Sequence, residues 1–285
     1  MVLPIEIHDF LTIHFDTGLN GVDPVMGGCI NSAARFTAHN KQYFIKWNKE
    51  SDFPKMLDTE YRGLELIQAV NVIRVPEVIL NKEINGYSFL VLEFIQHSYP
   101  NDEFWREFGI QVGLLHQNRT EKFGLEQGNY IGSLNQSNKQ ALDWSSFFIE
   151  QRILPQLELT GLLFDASDHR RFQRMFKELN SIFPPCKPSL LHGDLWNGNF
   201  IVGRDRTPYL IDPSVYYGHR EMELAFTRLF GGFDLLFYKS YQSINQLEKG
   251  FSSRIDIYNL YPLLVHANLF GGGYFQQIRQ IIKKF

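Results

Sequence analysis

The sequence has few cysteines and little excess of charge of either sign. Its two cysteines, Cys29 and Cys186, are too few for a disulfide framework, and neither lies in a CxxC pair that would indicate structural zinc. We expect both to be reduced thiols. Lysine and arginine number 28 against 31 acidic residues, so the net charge of −3 creates no global field for nucleic acid or an anionic membrane. The composition therefore excludes a protein that binds either of them by charge.

Long apolar runs are also missing. The opening residues, MVLPIEIHDF, lack the basic and apolar regions of a signal peptide. No stretch approaches the roughly 18 to 20 apolar residues that cross a bilayer. We therefore expect a cytoplasmic protein, and the sequence carries no indication of its oligomeric state. Apolar residues make up 44% of the 285, enough for a substantial core in one large or two modest domains.

The first third of the chain is rich in strand-like segments. Residues 43–47 (YFIKW) and 87–94 (YSFLVLEF) combine aromatic and branched side chains between polar residues and glycine, a pattern typical of strands. Between them a stripe recurs at steps of three and four residues, which predicts a helix that ends by the Val75–Pro76 boundary. The stripe consists of Leu57, Glu60, Leu64 and Ile67.

From Asn101 onward the periodicity becomes helical. One stripe consists of Phe104, Phe108, Val112 and Leu115, and further helices are expected near Trp144, from His169 and from Gln242. No repeat or Gly/Ser linker separates the two parts, so residues 95–101 are expected to form a hinge. The pattern predicts an α+β protein with an N-terminal sheet unit at 1–96 and a helical unit at 97–285.

The stretch LLHGDLWNGNF (190–200) is the strongest functional signal. Asp194 and Asn199 are five positions apart, and a hairpin of FIV and YLID would bring Asp212 beside them. Phosphoryl transfer needs a carboxylate to receive a hydroxyl proton and oxygen ligands for Mg²⁺. We therefore predict Asp194 as the base and Asn199 with Asp212 as metal ligands. The alternative is a turn in which these side chains only cap the backbone.

The N-terminal part offers a cation for such a site. Lys46 lies inside a strand, where its ammonium would hold the α/β-phosphates of a nucleotide, unless it is merely an exposed strand lysine. Glu60, on the apolar stripe, is costly to bury without a partner. We predict a Lys46–Glu60 pair, with Glu65 as the alternative carboxylate.

Two further segments are candidates for nucleotide contacts. In the stretch from Met26 to Ser32, Gly27 and Gly28 let backbone amides approach phosphate oxygens, and Asn31 lies in the same turn, although a Gly-Gly pair also occurs in ordinary hairpins. After LVLEFI, the backbone of Glu93 and Ile95 is placed to meet an adenine edge. Both segments are therefore predicted to contact a nucleotide.

Four segments resemble the fructosamine kinase (ketosamine 3-kinase) family: HGDLWNGNF, Phe123–Asn138, Asp143–Leu157 and Ile211–Phe233. The resemblance covers nearly the whole chain. It implies a two-lobed, protein-kinase-like fold, which that family shares with aminoglycoside phosphotransferases and choline kinases. The HGD–N–D core is common to this wider group, whereas NYIGSL and YYGHRE are narrower.

This resemblance implies ATP-dependent phosphorylation of the 3-hydroxyl of a ketosamine. Ketosamines form when an amine or a protein lysine is glycated, and their phosphorylation initiates deglycation. Lys46 and Glu60 match the family's phosphate-binding pair, Asp194 its base, and Asn199 with Asp212 its Mg²⁺ ligands. One departure is Glu223, where relatives frequently have aspartate, which places a supporting role at that position in doubt. A second is Asp212-Pro213-Ser214 in place of DFG, so regulation by a flip of that segment is not expected.

The acceptor site is less defined by the sequence. Trp196 follows the proposed base by two positions and is predicted to stack on a sugar, with core packing as the alternative. His219 and Arg220 are candidates for substrate contact or for bracing the loop, and His192 is expected to be structural. The alternative functions are an aminoglycoside or choline kinase, and a nucleotide-binding regulator without catalysis.

Overall fold

A five-stranded antiparallel sheet forms the N-terminal part of the computed structural model, which describes residues 3–25 and 30–285. The strand order is β1-β2-β3-β5-β4, so β3 lies at the centre. Both predicted strands are confirmed, as β3 and β5. The strands are β1 (Asn20–Pro24), β2 (Ser32–Ala38), β3 (Lys41–Lys49), β4 (Val78–Ile84) and β5 (Tyr87–Glu93).

The alternation of side chains along β3 decides which groups face the helical region. Tyr43, Ile45 and Trp47 pack in a small core beneath helix α1 (Ile5–His14), which the sequence analysis did not predict. Because neighbouring residues of a strand point to opposite faces, Lys46 points away from α1. The cation predicted for the site therefore lies on the face of the sheet that looks toward the remainder of the chain.

Helix α2 (Met56–Val70) buries the stripe predicted for it, including Glu60. It ends at Val70 and not at the predicted Val75–Pro76 boundary. Asn71 adopts a left-handed conformation with φ of 56°, and its N–H donates to the Gln68 carbonyl. Asparagine tolerates this conformation better than most residues, so the cap ends the helix five residues before the proline acts.

The remaining chain is mainly helical. A π-helical segment (Phe148–Ile153) continues α4 into α5, and a 3₁₀ turn occupies Gly161–Leu163. The region expected to be helical from Gln242 contains the end of α8 and, after a break, α9. The helices are α3 (Asp102–Leu115), α4 (Trp144–Phe147), α5 (Leu154–Leu159), α6 (Ala166–Ile182), α7 (Arg220–Phe226), α8 (Leu235–Ile244), α9 (Phe251–Phe270) and α10 (Tyr274–Ile282).

Three short antiparallel pairs lie between these helices and carry the loops of interest. The hairpin predicted after Asn199 is confirmed, since β9 (Phe200–Val202) pairs with β10 (Pro208–Leu210). Strand β8 (Ser189–Leu191) pairs with β11 (Tyr216–Gly218). A third pair, β6 (Asn129–Ile131) with β7 (Leu134–Gln136), forms a further hairpin. The pairing of β8 with β11 places residues 192–194 beside residues 212–215.

One large apolar core joins the sheet to the helices. Leu64 and Ile67 of α2 and Leu90 of β5 belong to the same buried cluster as Phe108 of α3. No helix in the described residues is long and apolar enough to cross a membrane.

Close packing of α3 on α8 depends on a glycine. A Cβ added to Gly109 would overlap the carbonyl oxygen of Phe237, which is backbone and cannot rotate away. We expect Gly109→Ala to lower the free energy of unfolding by about 1–3 kcal/mol, the range for overpacked positions. Gly18→Ala is the control because no atom lies within 4 Å of its added Cβ. Urea unfolding of both variants measures the difference, and equal stabilities would contradict this account of the contact.

Candidate active site

The loop after β8 is pressed against the segment before β11. Ser214 N–H donates to the His192 carbonyl at 2.9 Å. Gly193 adopts φ of 85°, and a Cβ there would overlap the Ser214 carbonyl oxygen. Only glycine fits both conditions. The two chain segments that carry Asp194 and Asp212 are therefore held in direct contact.

Asn199 is oriented by Asp194. Its Nδ2 donates to Asp194 Oδ2 at 2.7 Å and to the Asp194 carbonyl at 2.8 Å. Among residues 3–25 and 30–285, no donor bonds to Asn199 Oδ1. The Asn199 carbonyl accepts from Ile211 N–H at 3.1 Å, which brings the start of β9 to the residue before Asp212. The amide oxygen is thus left for another ligand.

Asp194 has an unusual protonation equilibrium for a carboxyl group. Burial raises its pKa to about 8, because it penalises the charged form. The Asn199 hydrogen bond opposes this rise, and the negative charges of Asp212 and Glu223 add to it. A carboxyl group with this pKa exchanges a proton near neutral pH, as a general base requires.

Lys46 reaches across from the sheet to the loop segments. Its Nζ lies 2.7 Å from Glu60 Oε1 and 2.6 Å from Asp212 Oδ1. The predicted Lys46–Glu60 pair is confirmed, while Glu65 instead accepts from the Tyr61 hydroxyl. The Lys46 side chain is 5% exposed and that of Asp212 is 49% exposed, so the cation is enclosed and the carboxylate faces the cleft.

The two carboxylates share one ammonium. Burial alone would lower the pKa of Lys46, but Asp212 and Glu60 outweigh it and raise the pKa above its usual value. Burial also raises the pKa of Glu60; the charge of Lys46 opposes this rise, and the negative charge of Asp212 adds to it. An anionic ligand such as a phosphate group would meet a fully charged lysine here.

Asp212 has a strained backbone. Its φ is 54°, a left-handed value that non-glycine residues adopt at an energetic cost. Such a conformation persists only where the surroundings hold it. With Asn199 Oδ1, the Asp212 carboxylate supplies hard oxygen atoms of the kind that Mg²⁺ binds.

Glu223, whose supporting role the sequence placed in doubt, holds the loop that carries Asp194. Its Oε1 accepts from Gly193 N–H at 2.7 Å, and its Oε2 accepts from His192 N–H at 3.2 Å. His116 Nε2–H donates to Oε2 at 2.8 Å. Burial would raise the pKa of Glu223, but these donors, His116 first, hold it below the usual range. Its signal in the sequence was a carboxylate between two apolar residues, Met222 and Leu224.

His192 is structural, as expected. Its Nε2–H donates to the Ile211 carbonyl at 2.8 Å, and its Nδ1 accepts from Asp194 N–H at 3.3 Å. Burial lowers its pKa. The ring is therefore neutral and braces both segments.

The predicted nucleotide-contacting residues differ in what the structure shows. Gly27, Gly28 and the following Cys29 lie outside the described residues. Asn31 Oδ1 accepts from Asn48 Nδ2 at 2.8 Å, so this side chain is tied to β3. Glu93 N–H donates to the Glu77 carbonyl, and Ile95 follows the end of β5.

His219 and Arg220 do not lie as substrate contacts should. His219 is 1% exposed, packs on the Tyr258 ring at 5.3 Å and accepts from Glu221 N–H as the cap of α7. Burial lowers its pKa to about 3. Arg220 donates to the carbonyls of Asn245 and Gln246, which fastens α7 to the segment after α8. These contacts correct the prediction of substrate binding in favour of bracing.

Trp196 lies at the edge of the loop. It is partly exposed, and its ring meets Phe230 edge-on at 6.1 Å. Core packing alone does not explain an indole in this position.

Comparison with known proteins adds to this geometry. A family model described as fructosamine kinase matches residues 6–285. A Synechocystis protein named "Probable ketoamine kinase" is 38% identical over 91% of this chain and 88% of its own length. A Haemophilus somnus protein assigned as a fructosamine-3-kinase is 30% identical, with a TM-score of 0.87 over 98% of this chain and 96% of that one.

An aminoglycoside phosphotransferase of known structure shares the fold alone. Its TM-score is 0.65 at 14% identity, and the match covers 98% of each chain. Together with the sheet and helices described above, these neighbours confirm the predicted α+β, protein-kinase-like architecture.

The raised pKa of Asp194 predicts a pH-dependent cost in stability. The folded carboxyl has a pKa of about 8 and the unfolded one about 4, so the folded state binds more protons between these values. The stability that this proton binding contributes is present below pH 4 and is lost as the pH rises to 8. Asp194→Asn does not titrate, so its melting temperature should exceed that of the wild type by at least about 2 °C at pH 8.5, with a smaller difference at pH 5.

Asp205→Asn serves as the control in the same thermal scans. Hydrogen bonds from Thr207 lower the pKa of this exposed carboxyl, so its removal should give no gain that grows with pH. If Asp194→Asn changes the melting temperature by the same amount at both pH values, ionisation of Asp194 does not destabilise the folded state.

Proposed function

Since the chain belongs to the fructosamine kinase family, we propose that it transfers the γ-phosphoryl group of ATP to the 3-hydroxyl of a ketosamine, free or on a protein, and so initiates deglycation. The observation that carries this proposal is the convergence of three oxygen-bearing side chains with one buried ammonium. Asn199 is hydrogen-bonded to Asp194, backbone hydrogen bonds hold the Asp212 segment beside them, and Lys46 reaches Asp212 from the sheet.

Asp194 acts as the base in this reaction. As the acceptor oxygen forms its bond to the γ-phosphorus, the bond from phosphorus to the leaving ADP oxygen breaks, and the hydroxyl proton passes to the Asp194 carboxylate. Asn199 holds that carboxylate in place through its Nδ2. The raised pKa makes Asp194 a stronger base than an ordinary carboxylate, at the cost of being mostly protonated at pH 7.

The metal and the nucleotide would be held by groups from both parts of the chain. Asn199 Oδ1 and the Asp212 carboxylate fit Mg²⁺, which binds few protein ligands and completes its shell with phosphates and water. The ion, when bound, would neutralise charge on the phosphate oxygens. Lys46 presents its ammonium to the same phosphates while Glu60 retains it. The amides near Gly27 and Gly28 and the backbone after β5 are proposed to complete nucleotide binding.

Trp196 is the proposed contact for the acceptor. A sugar presents an apolar face of C–H groups, and an aromatic ring two residues from the base can stack on it while a hydroxyl reaches Asp194. The ring is partly exposed, which leaves part of its surface available to a ligand. The length of the sugar is left open, so fructosamine, ribulosamine and erythrulosamine all fit the proposal.

An ADP-release assay across ketosamines of different sugar length tests the function, with an aminoglycoside and choline as competing acceptors. We expect turnover on ketosamines, and Asp194→Asn should reduce it by about 10²–10⁴-fold, the usual contribution of a general base. Nucleotide binding by that variant should persist. Turnover on the aminoglycoside or choline alone would reverse the choice of substrate, and unchanged turnover in Asp194→Asn would remove the proposed base.

Removal of the Trp196 ring should weaken acceptor binding selectively. For Trp196→Ala we expect a rise of about tenfold in the KM for the ketosamine, corresponding to about 1.4 kcal/mol, with little change in the KM for ATP. Leu162→Ala is the control, because this side chain is fully exposed in a distant 3₁₀ turn. An equal change in both KM values would indicate that the indole supports the loop and does not touch the sugar.

A further inference from the structure

The hairpin of β6 and β7 lies directly against the segment that follows Asp212. Asn129 Nδ2 donates to the Val215 carbonyl at 2.8 Å, and Gln136 Nε2 donates to the Ser214 carbonyl at 3.1 Å. In the opposite direction, Ser214 Oγ donates to the Tyr130 carbonyl at 2.7 Å. Three hydrogen bonds therefore connect the hairpin to two successive residues.

The amide side chains that make these bonds are themselves saturated. Asn129 Oδ1 accepts from Gln136 Nε2 at 2.7 Å and from Asn138 Nδ2 at 3.1 Å. Gln136 Oε1 accepts from the Tyr261 hydroxyl of α9 at 2.6 Å. All three amides are buried, where an unpaired polar group would be costly. Each of the three amide oxygens accepts a hydrogen bond in this arrangement, and the network fixes Asn129 on Val215.

A buried arginine donates hydrogen bonds to one end of this network. Arg152, in the π-helical segment, is 0% exposed, and its guanidinium donates to the Ser137 carbonyl at 2.6 Å and to Asn138 Oδ1 at 2.7 Å. The guanidinium also stacks on the Tyr216 ring at 3.9 Å. Within the part of the chain that the structure describes, it forms no ion pair with a carboxylate. The fixed fork of an arginine spans two successive residues in a way that lysine does not.

This cation is expensive to bury without a counter-ion, so its position calls for an explanation. Asp212, three residues before Val215, has a left-handed backbone, and Pro213 between them has no N–H with which to secure it. The hydrogen bonds that the hairpin donates to the Ser214 and Val215 carbonyls hold the segment that follows Asp212 in place. The network thus acts on the geometry of a strained residue.

We propose that Asn129 is a positioning residue for the metal-binding segment and that Arg152 holds it in that role. Through the Val215 and Ser214 carbonyls they fix Asp212 where its carboxylate meets Mg²⁺ and the nucleotide. This inference rests on the metal role of Asp212 in the proposed function. Neither residue touches the reacting groups, so neither is catalytic.

Asn129→Asp is the sharpest test. It keeps the oxygen that accepts from Gln136 and Asn138 but replaces the donor to the Val215 carbonyl with a second acceptor. The readout is the ratio of ADP dissociation constants measured with EDTA and with Mg²⁺, which needs no acceptor and no turnover. We expect this ratio to fall about tenfold, the lower end of the effect of outer partners on metal affinity.

Asn135→Asp on the same hairpin is the matched control, because its side chain is exposed on β7. It should change the ratio by less than about twofold. If Asn129→Asp does not fold, Arg152→Lys decides, and we expect the same loss of Mg²⁺ coupling from it.

An unchanged ratio in the folded variant, even with a lower melting temperature, would overturn the inference and leave the hairpin as a purely structural support. If the wild-type protein binds ADP equally well with EDTA and with Mg²⁺, both the inference and the metal role of Asp212 are wrong. If the ratios of ADP dissociation constants are as expected but ketosamines are not turned over, only the choice of substrate is wrong.

Discussion

The hydrogen bond from Ser214 N–H to the His192 carbonyl is the contact on which the rest of the site depends. It lies where β8 and β11 begin to diverge, and it keeps the residues that carry Asp194 and Asp212 within reach of each other. Gly193 can adopt its conformation only because no side chain stands between the two segments. Glu223, His192 and Asn199 each bind backbone on one or both sides of this contact, so the separation of the two carboxylates is set by backbone geometry and not by flexible side chains.

Without a bound cation, the negative charges of the site lower the stability of the fold. The negative charges of Asp212 and Glu223 add to the rise in the pKa of Asp194 that burial causes, whereas Lys46 is shared between Asp212 and Glu60. Glu223 is stabilised by His116 and two backbone amides, which leaves Asp194 as the carboxyl with the least compensation. Such an excess of negative charge is what a bound cation would relieve. In the proposed function, this loss of stability accompanies a base of raised pKa and a site that would accept Mg²⁺.

Sequence reasoning located the groups that local patterns expose. Lys46 inside a strand, Glu60 on an apolar stripe and the hairpin after Asn199 each follow from periodicity and spacing, and the structure pairs or places them as expected. The early end of α2 was missed because a left-handed Asn71 acts before the more visible Pro76. For His219 and Arg220 the sequence left substrate contact and bracing open, because proximity to Asp212 does not reveal that one packs among aromatic rings and the other bonds to the segment after α8. The supporting roles of Glu223 and Asn129 depend on hydrogen bonds to backbone groups far away in sequence, which periodicity and spacing do not predict.

The hairpin of β6 and β7 also bears on how the two parts of the chain are held together. Its Tyr130 uses two oxygen atoms in different directions: the backbone carbonyl accepts from Ser214, and the hydroxyl donates to the Pro54 carbonyl ahead of α2. Lys46 and Asp212 form a second connection between the sheet and the helical region. A nucleotide and its metal would disrupt the Lys46–Asp212 ion pair. They would leave the neutral hydrogen bonds of Tyr130 in place. The hairpin is thus suited to keep α2 and the Asp212 segment in register when the charges between them are exchanged for those of a bound nucleotide.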